Sequence, residues 1–306
     1  MLAGAVACAV IAAGTGGAAF ASDRSAAPVK AKPIAVARTV LTLVDTTRPT
    51  DANGTYPGAP TRTLKTTVSY PTRGGKTLRG PLPLVVFATG FQGTSTNYAP
   101  LYDHWVKAGY VVAAPEFPLS GEHAPGGSSG GDVKNQPADV RFVLDKVLEL
   151  DRKKGSKLHG LIDTKRIGLA GKSLGAVTVL EVGYNPAERD PRFRAVISLT
   201  GAVGGGSHFT GITTPLLLVH GDADTTIPIG SSRSAYAAAS SPKFFVTIIG
   251  STHGSAFGGA SDPPSLAVER TTLDFLDAFV KGKQAGVARL QTDGSVPGVA
   301  TIQAAP

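Results

Sequence analysis

An α/β architecture, with a mostly parallel central sheet and helices on both faces, is what this sequence predicts, and three observations predict it. Nearly continuous apolar runs recur at Leu82–Ala88, Tyr110–Ala114, Ile167–Ala170, Ala195–Leu199, Leu216–Val219 and Phe244–Ile249. Such runs are the mark of strands covered on both faces. Segments of helical period lie between them: Val140, Val143, Leu144, Val147 and Leu148 form one apolar stripe, and Val268, Thr272, Phe275, Leu276 and Phe279 form another. Strands alternating with helices in this way wind a parallel sheet on both sides.

Taken in chain order, residues 1–21 carry no charged side chain, run apolar through Ala5–Ala13 and end Ala19-Phe20-Ala21, a small-x-small site for signal peptidase. The apolar part is too short and too rich in Gly and Ala for a membrane helix of about 20 strongly apolar residues. The expectation is a signal peptide cut after Ala21 and a secreted protein. Residues 22–36 are rich in Ala, Pro and Lys and read as a flexible leader. Arg38–Val44 and Leu64–Tyr70 are β-branched runs closed by Pro and Gly turns, which predict two early antiparallel strands. The remaining strands and helices then place one catalytic domain over 37–282. Leu174–Val182 is apolar nearly all round, so its helix should be buried against the sheet. The connection from Leu199 to Leu216 holds only about 16 residues, too few for a cap domain, so the reaction centre should be open. Residues 283–306 show no strong pattern and are an unassigned tail.

Composition narrows the chemistry. Of 306 residues, one is Cys, and it is Cys8, inside the segment expected to be removed. The mature chain is then without a disulfide, a thiol nucleophile or a Cys-based metal site. A formal charge of +8 comes from Lys and Arg scattered along the chain rather than clustered with aromatics, which argues for a solvated basic surface and against nucleic acid as a partner. The sequence has no His-Glu-x-x-His zinc spacing, no P-loop and no dinucleotide fingerprint, so neither a metal nor another cofactor is expected.

What remains is nucleophilic catalysis by serine. Gly171-Lys172-Ser173-Leu174-Gly175 and Gly126-Gly127-Ser128-Ser129-Gly130 both match G-x-S-x-G. Only Ser173 follows an apolar strand and opens an apolar helix, the context a nucleophile elbow needs; Ser128 reads as loop. A serine hydroxyl needs a base to take its proton and a carboxylate to hold that base in the right tautomer. In the chain order Ser, acid, His, the acid is Asp222 or Asp224, both just past the strand Leu216–Val219, and the base is His253, just past Phe244–Ile249. These positions are carboxyl ends of strands, where sites in open α/β sheets form. His104, His123, His159, His208 and His220 lack that combination of order and place. Oxyanion donors are expected from the backbone of Leu174 and of Phe91, in the loop after Leu82–Ala88, with the Phe91 ring as a wall of the acyl pocket.

The stretches Leu84–Gly93, Gly109–Pro115 and Gln136–Asp145, the Ser173 elbow, His220–Asp224 and His253 resemble the platelet-activating-factor acetylhydrolase, dienelactone-hydrolase-like and bacterial cutinase branch of the α/β hydrolases. The resemblance covers roughly residues 37–282. It implies the α/β-hydrolase fold without a cap domain and carboxylic ester hydrolysis through an acyl-serine. It also selects Asp224, since the acid in that branch stands four residues after the His of His-Gly-x-x-Asp. Lys172 stands where that branch usually has His, and Ala176 where Gly is common. The implied partner is an ester substrate, a small molecule, a lipid or a polyester, with no stable membrane insertion; the oligomeric state is not fixed. Peptide or amide cleavage by the same three residues, and a non-catalytic secreted binding protein on the same scaffold, are the rival readings.

Overall fold

In the computed structural model, the described residues are 32–201, 209 and 211–306. The proposed signal peptide with Cys8, most of the leader, His208 and half of the connection before Leu216 lie outside them. Among the described residues, ten strands form one sheet. They are β1 (Ile34–Asp45), β2 (Arg62–Arg73), β3 (Lys76–Thr77), β4 (Leu82–Ala88), β5 (Val111–Glu116), β6 (Ile162–Lys172), β7 (Phe193–Leu199), β8 (Leu216–Gly221), β9 (Lys243–Ile248) and β10 (Ala300–Ala305). The order across the sheet is β1-β2-β5-β4-β6-β7-β8-β9-β10, with β3 paired to β2. The ladders from β5 through β9 are parallel. The outer ladders, β1 to β2, β2 to β5 and β9 to β10, are antiparallel.

The apolar runs have the cause assigned to them. Along β4, Leu84, Val86 and Ala88 enter one core and Val85 and Phe87 the other, and all five are fully buried. The first core is covered by α2 (Gln136–Arg152), α3 (Leu174–Tyr184) and α4 (Gly230–Ala238), the second by α1 (Ala99–Lys107), α5 (Pro263–Phe279) and α6 (Ala285–Asp293). Each buried Val or Leu in these layers contributes about 1.5–3 kcal/mol. Helix α5 starts where Asp262 caps it, accepting from the Ser265 N–H at 2.9 Å, with Pro263 and Pro264 in the first turn.

Two assignments change. Strand β1 begins at Ile34, so the last three residues of the expected leader are sheet, because their backbone pairs with Pro71–Arg73 of β2. The tail is also structured: α6 packs Leu290 into the second core, and β10 pairs antiparallel with β9 from Ala300↔Ile248 to Ala305↔Lys243. The sheet therefore extends into the tail, through Ala305.

One buried ion network ties the antiparallel edge to the helical layer. Arg62, fully buried at the start of β2, gives Nε and Nη2 to the two Asp139 carboxylate oxygens at 2.7 Å each, and Nη2 to Asp132 at 2.7 Å. Burial pushes the Asp139 carboxyl upward, and the guanidinium groups of Arg62 and Arg48 beside it favour its charge. Asp132 also accepts from the Leu119 N–H at 3.2 Å, which pins the loop after β5. Replacing Arg62 by Leu would leave Asp132 without its cation and Asp139 with Arg48 alone, whose Nη2 stands 2.8 Å from Asp139 Oδ1. The expected cost is about 3–5 kcal/mol, read as a lower urea midpoint at unchanged slope. A midpoint equal to wild type would show the network to be unimportant for stability.

Candidate active site

Ser173 sits where β6 turns into α3, with φ 57° and ψ −119°. This backbone is rarely adopted by a side-chain-bearing residue and marks strain held by its surroundings. Those surroundings are short of atoms by design of the sequence. A Cβ on Gly171 would stand 2.3 Å from the Gly175 carbonyl oxygen, and one on Gly175 would stand 2.1 Å from that of Ala88. Strand, turn and helix can approach only because both positions are Gly. Among the described residues, the other non-Gly residues with positive φ are Gln92 and Thr200, at 56° and 49°. They follow β4 and β7, the two neighbours of β6, so the strained positions gather at one end of the sheet.

As helix N-cap, Ser173 makes no side-chain capping bond, and its hydroxyl is left to His253. His253 Nε2 lies 2.8 Å from Ser173 Oγ, and His253 Nδ1 lies 2.7 Å from Asp224 Oδ2. The carboxylate accepts, so Nδ1 carries the proton and Nε2 is free to accept from the serine hydroxyl. Asp224 Oδ1 accepts from the N–H groups of Thr226 and Ile227, each at 2.9 Å. Burial raises the Asp224 carboxyl, but the bonds from His253 and from the two backbone donors outweigh it and hold the group below its ordinary value. The His253 side chain is 19% exposed while that of Asp224 is sealed, so the pair opens to solvent on the serine side. Among the described residues no cap covers it.

The structure separates the paired candidates. Asp222 turns away and accepts from the Gly250 N–H at 2.6 Å, a turn-forming role. Ser128 donates its hydroxyl to the Gly121 carbonyl at 2.8 Å inside its loop, a local bond that involves no histidine. His104 faces Glu269 at 3.6 Å, and His159 bonds the Asp151 carbonyl at 3.0 Å. His220 is not part of the surface but touches Asp224, a contact that no spacing in the sequence announces.

The loop after β4 lies against the nucleophile. A Cβ on Gly90 would stand 3.2 Å from Ser173 Cβ and 3.0 Å from the Lys172 carbonyl oxygen. Phe91 follows with its ring 45% exposed, so it is not a core residue. The N–H groups of Phe91 and Leu174 make no backbone hydrogen bond among the described residues, whereas the flanking Gln92 N–H bonds the Ser120 carbonyl at 2.7 Å. A buried polar chain holds that carbonyl in place. Ser120 Oγ accepts from Gln136 Nε2 at 2.8 Å, and Gln136 Oε1 accepts from the Thr178 hydroxyl on α3. The nucleophile helix and the Phe91 loop are thereby coupled through three side chains.

A central parallel sheet with helices on both faces, carrying a strained serine between strand and helix, defines an α/β-hydrolase. The comparison with protein families makes this particular: the PETase family model, PET hydrolase-like, matches residues 65–284, and the chain belongs to that family. It is a carboxylic ester hydrolase, acting on an ester substrate. No curated protein matches the chain. Among the described residues no helix is long and apolar enough to cross a membrane.

Lys172 is the feature the elbow pattern does not explain. It is 6% exposed, and among the described residues its ammonium has no hydrogen bond; the Tyr98 ring lies 6.0 Å away. Burial pulls its pKa from 10.5 down to about 8, against the attraction of Asp224. In the unfolded chain the amine binds its proton up to the ordinary value, so below about 8 both states are protonated and the folded one carries the desolvation cost. From about 8 upward the folded state sheds that proton first, and stability attributable to this group rises with pH. Lys172→Met should therefore raise Tm at pH 7, and the gain should shrink as pH climbs toward 10.5. A Tm difference that is constant across that range would contradict the assignment.

Proposed function

We propose that the chain is a secreted serine hydrolase that cleaves carboxylic esters through an acyl-Ser173 intermediate. His253 takes the Ser173 proton as Oγ attacks the ester carbonyl, and gives it to the leaving alkoxide as the carbon–oxygen bond breaks. Water then enters, loses a proton to His253, adds to the acyl carbon and releases the acid, while the proton returns to Ser173. Asp224 holds the Nδ1–H tautomer and stabilises the imidazolium formed in both steps. The observation that carries this reading is the pair of short bonds at His253, 2.8 Å to Ser173 Oγ and 2.7 Å to Asp224 Oδ2. The backbone N–H groups of Phe91 and Leu174 are the proposed oxyanion donors, supported by their lack of other backbone partners and by the positive end of α3.

For substrate, a serine that no cap covers among the described residues, beside an exposed phenylalanine, favours esters presented on a bulky or extended chain, in keeping with a PET hydrolase-like family. Secretion is supported by residues 1–21, and mass analysis of exported protein should give a mature chain beginning at Ser22. An uncut N-terminus would refute that part.

Ser173→Ala and His253→Ala should each lower kcat by about 10⁴ to 10⁶, and Asp224→Asn by about 10⁴, with the combined loss far from additive. Ser128→Ala and Asp222→Asn serve as controls with much smaller effects. Near-normal turnover in Ser173→Ala would sink the mechanism, and equal rates on p-nitrophenyl esters and the matching anilide would turn it toward an amidase. Phe91→Pro removes the proposed donor and should cost about 10² to 10³ in kcat, whereas Phe91→Ala keeps it and should chiefly raise KM. Equal kcat losses in the two folded variants would reduce Phe91 to a packing role.

A further inference from the structure

His220 is the penultimate residue of β8, and its side chain is fully buried. Its Nε2 stands 3.1 Å from Asp224 Oδ2 and 2.9 Å from the Ile227 carbonyl oxygen. Both neighbours are acceptors, so Nε2 carries the proton and donates to them. Nδ1, 2.7 Å from Ser232 Oγ, is then the acceptor for that hydroxyl. Burial favours the uncharged imidazole, against the pull of Ile227 and Asp224.

The acid is thus held from every side. Oδ2 takes one N–H from His253 and one from His220, while Oδ1 takes the N–H groups of Thr226 and Ile227. Ile227 is bonded at both ends, its N–H to Asp224 and its carbonyl to His220, so the three residues close a ring of hydrogen bonds. Ser232 fastens that ring to α4. The titratable groups facing the ring are His253, from the loop after β9, and Lys172, at the end of β6, which senses the Asp224 charge.

We propose that His220 is a positioning residue for the ester hydrolysis: its Nε2–H fixes Asp224 Oδ2 against His253 and draws off part of the charge that oxygen presents to the imidazolium. The proposal rests on Ser173, His253 and Asp224 acting as one triad. A histidine that merely filled its place in the core would affect folding without altering how His253 titrates during turnover. A second donor on Oδ2 alters both, because each N–H bonded to a carboxylate oxygen lowers the charge available to the other.

The test measures kcat and KM on a p-nitrophenyl ester across pH for purified His220→Leu, His220→Gln, Ser232→Ala and Asp224→Asn, with circular dichroism as the check on folding. His220→Leu should lose about 10- to 100-fold in kcat, as partners behind a reacting group commonly do, with little change in KM. The acid limb of its kcat/KM profile should move to higher pH, since Oδ2 with one donor fewer holds the imidazolium more strongly. The Gln side chain brings an N–H near the Nε2 position, so His220→Gln should recover most of the kcat and return the acid limb. Ser232→Ala leaves His220 free to exchange tautomers and should show a smaller loss in the same direction. A folded His220→Leu with wild-type kcat and an unmoved acid limb overturns the proposal, and so does a loss that Gln fails to rescue. If the Leu variant does not fold, wild-type kcat and pH profile in Ser232→Ala overturn it instead. Wild-type turnover in Asp224→Asn would mark the triad itself as the error, which separates the two failures.

Discussion

The reversal of direction at Ser173 is the constraint on which the rest of the site depends. A residue at φ 57° between a strand and a helix is stable only if the elements on both sides press close enough to leave no alternative. Gly171 and Gly175 provide that closeness, since any side chain there would run into the backbone of Gly175 or Ala88. The Ser173 N–H bonds the Leu199 carbonyl at 2.9 Å, and its carbonyl accepts from Ala176 and Val177, so both backbone groups of Ser173 itself are hydrogen-bonded. With the backbone fixed this way, the hydroxyl stands clear of the helix it begins and meets the imidazole. Ala176 is tolerated where Gly is common because its methyl faces Gly201, where a Cβ would stand 2.7 Å away.

Charge is arranged around that turn with equal economy. Asp224 is sealed from solvent yet remains a carboxylate, because four N–H donors replace the water it lost. Lys172, at the end of β6, shows the opposite case: a residue as little exposed as Asp224, whose ammonium has no hydrogen bond among the described residues and whose pKa is brought down to about 8. Its proximity to Asp224 offsets only part of that cost. Hydrogen bonding separates the two groups: four donors face Asp224, and among the described residues none of the Lys172 ammonium protons has a hydrogen-bonding partner.

Much of the fold could be read from residue patterns. The run Leu82–Ala88 matches β4 at both ends, because a strand buried on both faces has no polar residue to blur its limits. Ser173 and His253 were legible because their chemistry needs a strand end before them, and strand ends are visible in sequence. Between Asp222 and Asp224, residue spacing alone offers no choice; the resemblance to a family does, and the geometry places Asp224 against His253. Helix α4 buries only Ser232 and Ala235, so it has no apolar stripe to find. Strand β10, Ala-Thr-Ile-Gln-Ala-Ala, lies at an edge and owes its form to the partner strand Lys243–Ile248, far back in the chain, a pairing that local pattern does not encode. Arg62 reads as one polar residue in a β-run, and its partners Asp132 and Asp139 stand 70 and 77 residues away. Buried polar partners are fixed by the tertiary fold, and no periodicity reports them.

Sheet order also explains why a histidine, and no shorter base, completes the site. Ser173 follows β6 and Asp224 follows β8, with β7 between them, so the two lie about 10 Å apart at ordinary strand spacing. An imidazole with a hydrogen bond at each nitrogen reaches about 8 Å, close to that gap once the side chains lean together. The base cannot come from β7, which occupies the middle: its end turns sharply at Thr200, φ 49°, whose N–H bonds the Val219 carbonyl at 2.8 Å. It comes instead from beyond β9, on a loop drawn back over the end of β8. The absence of a side chain at Gly221 permits that approach, since a Cβ there would stand 2.1 Å from the Ser251 carbonyl oxygen. The residue that lets the base loop settle is thus the immediate neighbour of His220, which steadies the acid, and one short strand end serves both.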